Sequence, residues 1–372
     1  MLNDSIQKIS LALACILSIV MFLSCHRQNN NPIRNNSQPL WQLVWQDEFN
    51  GVHLDGGRWN YEIGGGGWGN NELEYYTDRE DNVYVQDGQL VIEARREHYE
   101  NREYTSARIT TNSKGDWLYG KIEVRAKLPV GKGLWPAIWL LPTDWAYGSW
   151  AASGEIDIME LVGNNPFQVF GSIHFGGEFP HNVYKNGNFV LRDGSDFSDD
   201  FHVFSLIWEP ADLRWYVDGK LYEEQSEWYS NNGDFPAPFD KRFHLLLNVA
   251  VGGNWPGSPD ASTEFPQRMY VDYVRVYSYK GERPSISITS PTEGQVFSRG
   301  STIPITVKTS AGSGEVVQVK YYTQTEKIGQ AMVSPFGILW PNVSEGEYRL
   351  LAGAEDDSAH YALSPPVTIE VK

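Results

Sequence analysis

The sequence predicts an all-β protein: a large sandwich of two packed antiparallel sheets, followed by a smaller immunoglobulin-like sandwich. Three observations point there. Segments such as NVYVQDGQLVIEAR, YGKIEVRAKLP, FHVFSLIWEP, FHLLLNVAV and MYVDYVRVYSY alternate polar with apolar residues, or run apolar, over strand lengths, and no convincing 3.6-residue period interrupts them. Thirty-five Gly and 20 Pro among 372 residues supply turns, and 13% aromatic residues suit pleated, half-buried surfaces. The rhythm then changes at Lys280-Gly281-Glu282-Arg283-Pro284. Beyond it PSISITSP, STIPITVKTS, EVVQVKYYTQ, EYRLLAGAED and PVTIEVK follow, with SP, EG and SG turns.

From the N-terminus, residues 9–23 form an apolar run that is short for a membrane span and suits the core of a signal peptide. It ends Phe22-Leu23-Ser24-Cys25, which resembles the lipobox of bacterial lipoproteins. That resemblance implies cleavage after residue 24, lipidation of Cys25, secretion across the inner membrane and anchorage to the bacterial envelope. An ordinary cleaved signal peptide is the alternative. Either removes Cys15 and leaves no thiol pair for a disulfide or a thiolate metal site. Residues 25–39 include HRQNNNPIRNNSQP, polar and without apolar periodicity, and read as a flexible tether. A first domain spans 40–280 and a second 284–372. The second holds one Trp, Trp340, whereas the other 13 of 14 lie between Trp41 and Trp255. With so little stacking surface, the tail reads as a spacer or docking module rather than a sugar-binding one.

Charge narrows the function. Forty-seven Asp+Glu against 30 Lys+Arg give a net charge of −17, which argues against a nucleic-acid partner. A monomer is expected.

The chemistry concentrates in Ser153-Gly154-Glu155-Ile156-Asp157-Ile158-Met159-Glu160. In a plain strand Glu155 and Asp157 share one face, and Glu160 falls on the other. One extra residue in a bulge at Ile158-Met159 turns Glu160 back, and three carboxylates converge. Crowded carboxylates cannot all ionise easily, so one is held as an acid beside another that stays an anion. Such a pair suits glycoside hydrolysis, with retention of configuration if the two groups lie close together. A solvated acidic face would not be flanked by Ile156, Ile158 and Met159. A hard-cation site is the remaining reading, although no Asp-rich loop lies nearby.

SGEIDIME, with WPAIWLLP at 135–142 before it and GSIH at 171–174 after it, resembles glycoside hydrolase family 16, in particular its laminarinase-like endo-β-1,3-glucanases. WQDEFNG, GNNELEYYT, YGKIEVRAKLP, LLLNVAVGGNWPG and VDYVRVY extend the resemblance along residues 40–279. It implies a jelly-roll sandwich with a concave cleft, Glu155 as nucleophile, Glu160 as acid/base and Asp157 as the carboxylate that steadies the nucleophile. It needs no catalytic cofactor. By the same resemblance Trp135 and Trp139 contact glucan, His174 stands beside the acid/base, and Arg108 and Trp255 complete the subsites. Trp150, just before the catalytic strand, lines the same cleft wall, although Ala151 stands where the family often has Pro. GGGGWGNNE reads as a cleft-rim loop whose Asn70 offers its amide to sugar hydroxyls. Glu48, the Gly88 carbonyl and Asp272 match a structural calcium position, with ordinary surface acids as the other reading. The expected substrate is β-1,3-glucan. A galactan such as agar, porphyran or carrageenan, or a non-catalytic glycan-binding role, are the rivals.

Overall fold

The computed structural model describes residues 40–312 and 314–372, so the expected signal peptide, Cys25 and tether lie outside the described residues. Among the described residues no helix forms, and none is long and apolar enough to cross a membrane. Residues 41–279 build two sheets. The backing sheet places Lys220–Gln225, Asp212–Val217, His202–Glu209, Gly120–Lys127, Gln267–Tyr279, Gln89–Tyr99, Arg102–Ser106 and Glu74–Tyr76 side by side; Trp41–Asp47 and Val83–Gln86 pair onto it. The site sheet runs Asn182–Val190, Gln168–Gly176, Glu155–Leu161, Leu134–Pro142, Phe243–Val251, Arg108–Thr110 and Asn60–Tyr61, and Asp116–Trp117 also pairs with Phe243–Val251.

Alternation explains how the sheets meet. In Gly120–Lys127, Ile122, Val124 and Ala126 are buried between the sheets, while Lys121, Glu123, Arg125 and Lys127 stay partly exposed. Phe243–Val251 breaks the pattern, being buried at every position. Its inner face meets the core, and on its outer face Asn248 accepts a hydrogen bond from the Trp139 indole at 2.8 Å. A strand covered on both faces reads as a near-continuous apolar run, and LLLNVAV does, with Asn248 its one polar residue.

After Tyr279 the next strand begins at Ser285. The second domain packs Ser285–Ser290, Ile303–Ser310 and Ile338–Trp340 against a sheet containing Gln295–Phe297, Val367–Val371, Gly346–Asp356, Val316–Tyr322 and Lys327–Ala331. Ile303, Ile305, Val319, Tyr321, Leu350, Ala352 and Ile369 fill its interior. The second domain packs against the first. Tyr322, Leu351 and Tyr361 join the apolar core of the first domain, and residues 40–372 form one unit.

Candidate active site

Strand register assembles the site. On one side of Glu155–Leu161, Glu155 faces His174 and Asp157 faces Ser172, and then the register slips so that Glu160 faces Phe170. On the other side Asp157 faces Trp139, while Met159 faces Ile138 and Glu160 faces Ala137. Ile158 is therefore the extra residue. The bulge lies where the sequence placed it, with Ile156, Ile158 and Met159 buried and the three carboxylates on the open face. Gly154 admits the chain to this strand at φ +87°, where an added Cβ would lie 2.8 Å from the Phe239 ring.

Each outer carboxylate has its own indole. Trp150 donates to Glu155 at 2.8 Å and Trp135 donates to Glu160 at 3.0 Å. Between them, Ser172 donates to Asp157 at 2.5 Å and lies 3.4 Å from Glu160. The His174 Nε2 stands 3.4 Å from Asp157 and 3.7 Å from Glu155. Burial, then the neighbouring Asp157 charge, pushes Glu155 up to about 7, with His174 and the Trp150 donor pulling the other way. Burial and Asp157 push Glu160 well above the usual carboxylate range. Burial opposes a charge on His174, but its hydrogen bond to Asp157 and the charge of Glu155 raise it to about 9. The site thus favours a cationic imidazole and a protonated Glu160, with Glu155 poised to ionise near neutral pH.

An aromatic rim surrounds these groups. Trp150 lies 5.6 Å from His174 and 6.4 Å from Phe179, and Trp255, 44% exposed, meets Trp135 and Phe170 edge-on at 5.6 and 5.3 Å. The Arg108 guanidinium sits over Trp68 and Trp139, at 4.6 and 4.7 Å, and is ion-paired with Glu62. Asn248 donates to Tyr76 at 3.1 Å, Tyr76 to Glu72 at 2.9 Å, and Asn70 to Glu72 at 3.3 Å.

The sequence profile of glycosyl hydrolases family 16 matches residues 70–275, more than half of the chain. The chain belongs to glycosyl hydrolase family 16. A bacterial Ig domain profile matches residues 284–352 of this family 16 protein. It is 48% identical over 258 residues to glucan endo-1,3-beta-glucosidase A1 of Niallia circulans, a match covering 63% of the chain but only 37% of that relative. It is 46% identical to a beta-glucanase of Rhodothermus marinus, covering 66% of the chain and 88% of the relative. The laminarinase catalytic domain of Thermotoga maritima superposes with a TM-score of 0.58 at 47% identity, over 64% of this chain and 98% of that one.

The family 16 face brings together Glu155, Asp157, Glu160, Asn70, Arg108, Trp135, Trp139, Trp150, His174 and Trp255, and their duties differ from the expectation in part. Trp135 and Trp150, expected only as platforms, also hold the reacting carboxylates by their N–H edges. Asn70 turns an amide hydrogen onto Glu72. The face also carries Ser172, Asn248, Trp68, Glu62, Phe170 and Phe179, and Tyr184 stacked on His174, none of them among the residues expected from the sequence. Alternation in VFGSIHF could have found Phe170 and Ser172, which share a face with His174.

Of the residues expected to hold calcium, both acids form ion pairs with arginines. Glu48 lends both oxygens to Arg275 at 2.7 and 2.8 Å, and Asp272 meets Arg125 at 2.8 Å. Among the described residues the one trio of ligand-capable side chains gathered within 4.8 Å is Glu155, Asp157 and His174.

Proposed function

We propose that the first domain cleaves internal β-1,3-glucosidic bonds of laminarin-type β-glucan by double displacement with retention of configuration. The carrying observation is the pair Glu155 and Glu160, each given one indole donor, both with raised pKa, on either side of Asp157. The names of the relatives support the glucan substrate: proteins 45–48% identical are glucan endo-1,3-beta-glucosidases.

Protonated Glu160 gives its proton to the leaving glycosidic oxygen while the Glu155 carboxylate bonds to the anomeric carbon. Glu160, now an anion, takes a proton from water, whose oxygen displaces Glu155 from the same carbon. Asp157 retains its Ser172 and His174 contacts throughout and so fixes the charge beside the nucleophile. No cofactor enters the cycle. A sulfated galactan would call for free cations on this face, and Arg108 is already paired with Glu62.

A reducing-sugar assay on laminarin, lichenan, agarose, porphyran and carrageenan tests the reading, run beside Glu155→Gln. Laminarin is expected to be hydrolysed, with at least a ~10³-fold loss in the variant. Hydrolysis surviving the substitution would overturn the mechanism, and activity on a galactan alone would overturn the substrate. We also read Cys25 as a lipid anchor, on sequence alone; Cys25→Ser is expected to move the protein from the membrane fraction to the soluble one.

A further inference from the structure

Between Lys220–Gln225 of the backing sheet and Phe243–Val251 of the site sheet, residues 226–242 form no regular strand. This segment touches both the second domain and the Glu155 end of the cleft.

Toward the second domain, the Phe235 ring stacks on Tyr322 at 4.3 Å and 16°. The Phe235 amide donates to the Gln324 carbonyl at 2.9 Å, and its own carbonyl accepts from Arg349 at 3.4 Å. Arg349 also lies 3.7 Å from Asp234, and Lys327 lies 3.3 Å from Glu227. Phe235 is 1% exposed and Tyr322 not at all, so this is an interior joint and not a surface touch.

Toward the cleft, the Asn231 amide donates at 2.9 Å to the carbonyl of Gly176, which ends the strand holding His174. Asn232 donates to the Tyr147 carbonyl at 2.6 Å, and the Tyr147 hydroxyl donates to Asp240 at 2.9 Å. Pro238 and Phe239 close on Gly154, where an added Cβ would lie 3.0 and 2.8 Å from them, directly before Glu155. Trp228 ties the two sides, donating to the Pro236 carbonyl at 3.0 Å with its ring 5.5 Å from Phe235 and 5.2 Å from Phe239.

We propose that the immunoglobulin-like domain acts as a brace for catalysis: through Tyr322, Gln324 and Arg349 it fixes the 226–242 segment, which in turn sets the backbone at Gly154 and Gly176 that positions Glu155 and His174. A free spacer would leave the chemistry untouched, and a sugar-binding module would alter only capture of polymer. A brace alters turnover, because small displacements of a nucleophile are costly.

The test uses the full chain carrying Tyr322→Leu, Tyr322→Phe, Arg349→Ala and, as a control on the exposed Glu227 pair, Lys327→Ala. Amide hydrogen exchange is followed at residues 147–155 and 174–177, alongside kcat and KM on soluble laminarin oligosaccharides. Tyr322→Leu is expected to speed exchange in both segments and lower kcat by about tenfold. Tyr322→Phe, which keeps the stacked ring, should restore both, and Arg349→Ala should move them less in the same direction. Lys327→Ala should change neither. Exchange confined to residues 284–372 with unchanged kcat in Tyr322→Leu and Arg349→Ala would overturn the brace. If Tyr322→Leu fails to fold, Arg349→Ala decides by the same two readouts. The exchange measurement needs no substrate, so it stands apart from the glucanase assignment.

Discussion

At Glu155 and Glu160 burial opposes ionisation, and each carboxylate receives one indole donor to temper that cost, at 2.8 and 3.0 Å. His174 adds the nearby cation, 3.7 Å from Glu155. Activity requires Glu155 ionised and Glu160 protonated, so kcat/KM is expected to rise as Glu155 loses its proton near pH 7 and to fall as Glu160, raised by burial, loses its own. The imidazolium favours the charged form of both carboxylates. His174→Gln keeps a hydrogen-bond donor and removes that charge, so both limbs of the kcat/KM profile are expected to move to higher pH; limbs that stay in place would show that the working enzyme holds His174 neutral. The three carboxylates were legible because Glu160 breaks a strict alternation and a single bulge repairs it. The indole clamps were not, since which edge of a Trp meets which carboxylate depends on the register of the neighbouring strands.

One strand shows how far the open face extends. Asn182–Val190 lies at the edge of the site sheet, and its register sets Tyr184, Asn186 and Asn188 opposite His174, Ser172 and Phe170. Tyr184 is 63% exposed yet stacked on His174 at 5.7 Å and 27°. Strands stand about 4.8 Å apart, which puts this one roughly 10 Å from the nucleophile's strand. An aromatic face at that distance suits a sugar ring beyond those being cleaved. Tyr184→Ala is expected to raise KM about fivefold for oligosaccharides long enough to reach it and to leave the shortest substrates unchanged. Equal losses at every chain length would reduce Tyr184 to a support for His174. The alternation in NVYKNGNF carries this pattern, but which face opens onto the cleft is fixed by Gln168–Gly176 alongside.

Across the whole molecule, charges are sealed between the two domains. The Lys320 side chain, 4% exposed, lies 2.9 Å from Glu224, 3.4 Å from Asp212 and 3.8 Å from Glu355, and Arg214 meets Asp212 at 2.5 Å. Burial pushes Asp212 up to about 7, with Arg214 and then Lys320 opposing it. A carboxylate raised in the folded state gives up stability as pH climbs from the ordinary carboxylate range through that value, so the joint is firmer in mild acid. Lys320→Ala leaves Asp212 and Glu355 with Arg214 as their remaining cation and is expected to cost about 3 kcal/mol in denaturant unfolding. Residues 40–372 should still unfold in one calorimetric transition; two separate transitions would refute a shared core. Both sandwiches could be read from strand rhythm, but their fusion could not. Alternation in VVQVKYY describes how Lys320 sits in its own sheet and says nothing of the second domain's neighbour that covers it.

Trp150 is one side chain serving two purposes. Its ring lies 5.6 Å from that of His174, while its N–H edge restrains the nucleophile. Adapting the pocket to a new polysaccharide by replacing that ring would retune the proton balance of Glu155 at the same stroke. Trp135 imposes the same bond on Glu160. Changes of specificity are therefore easier to reach through Tyr184, Phe179 or Trp255, whose rings meet the carboxylates only through His174, Trp150 or Trp135.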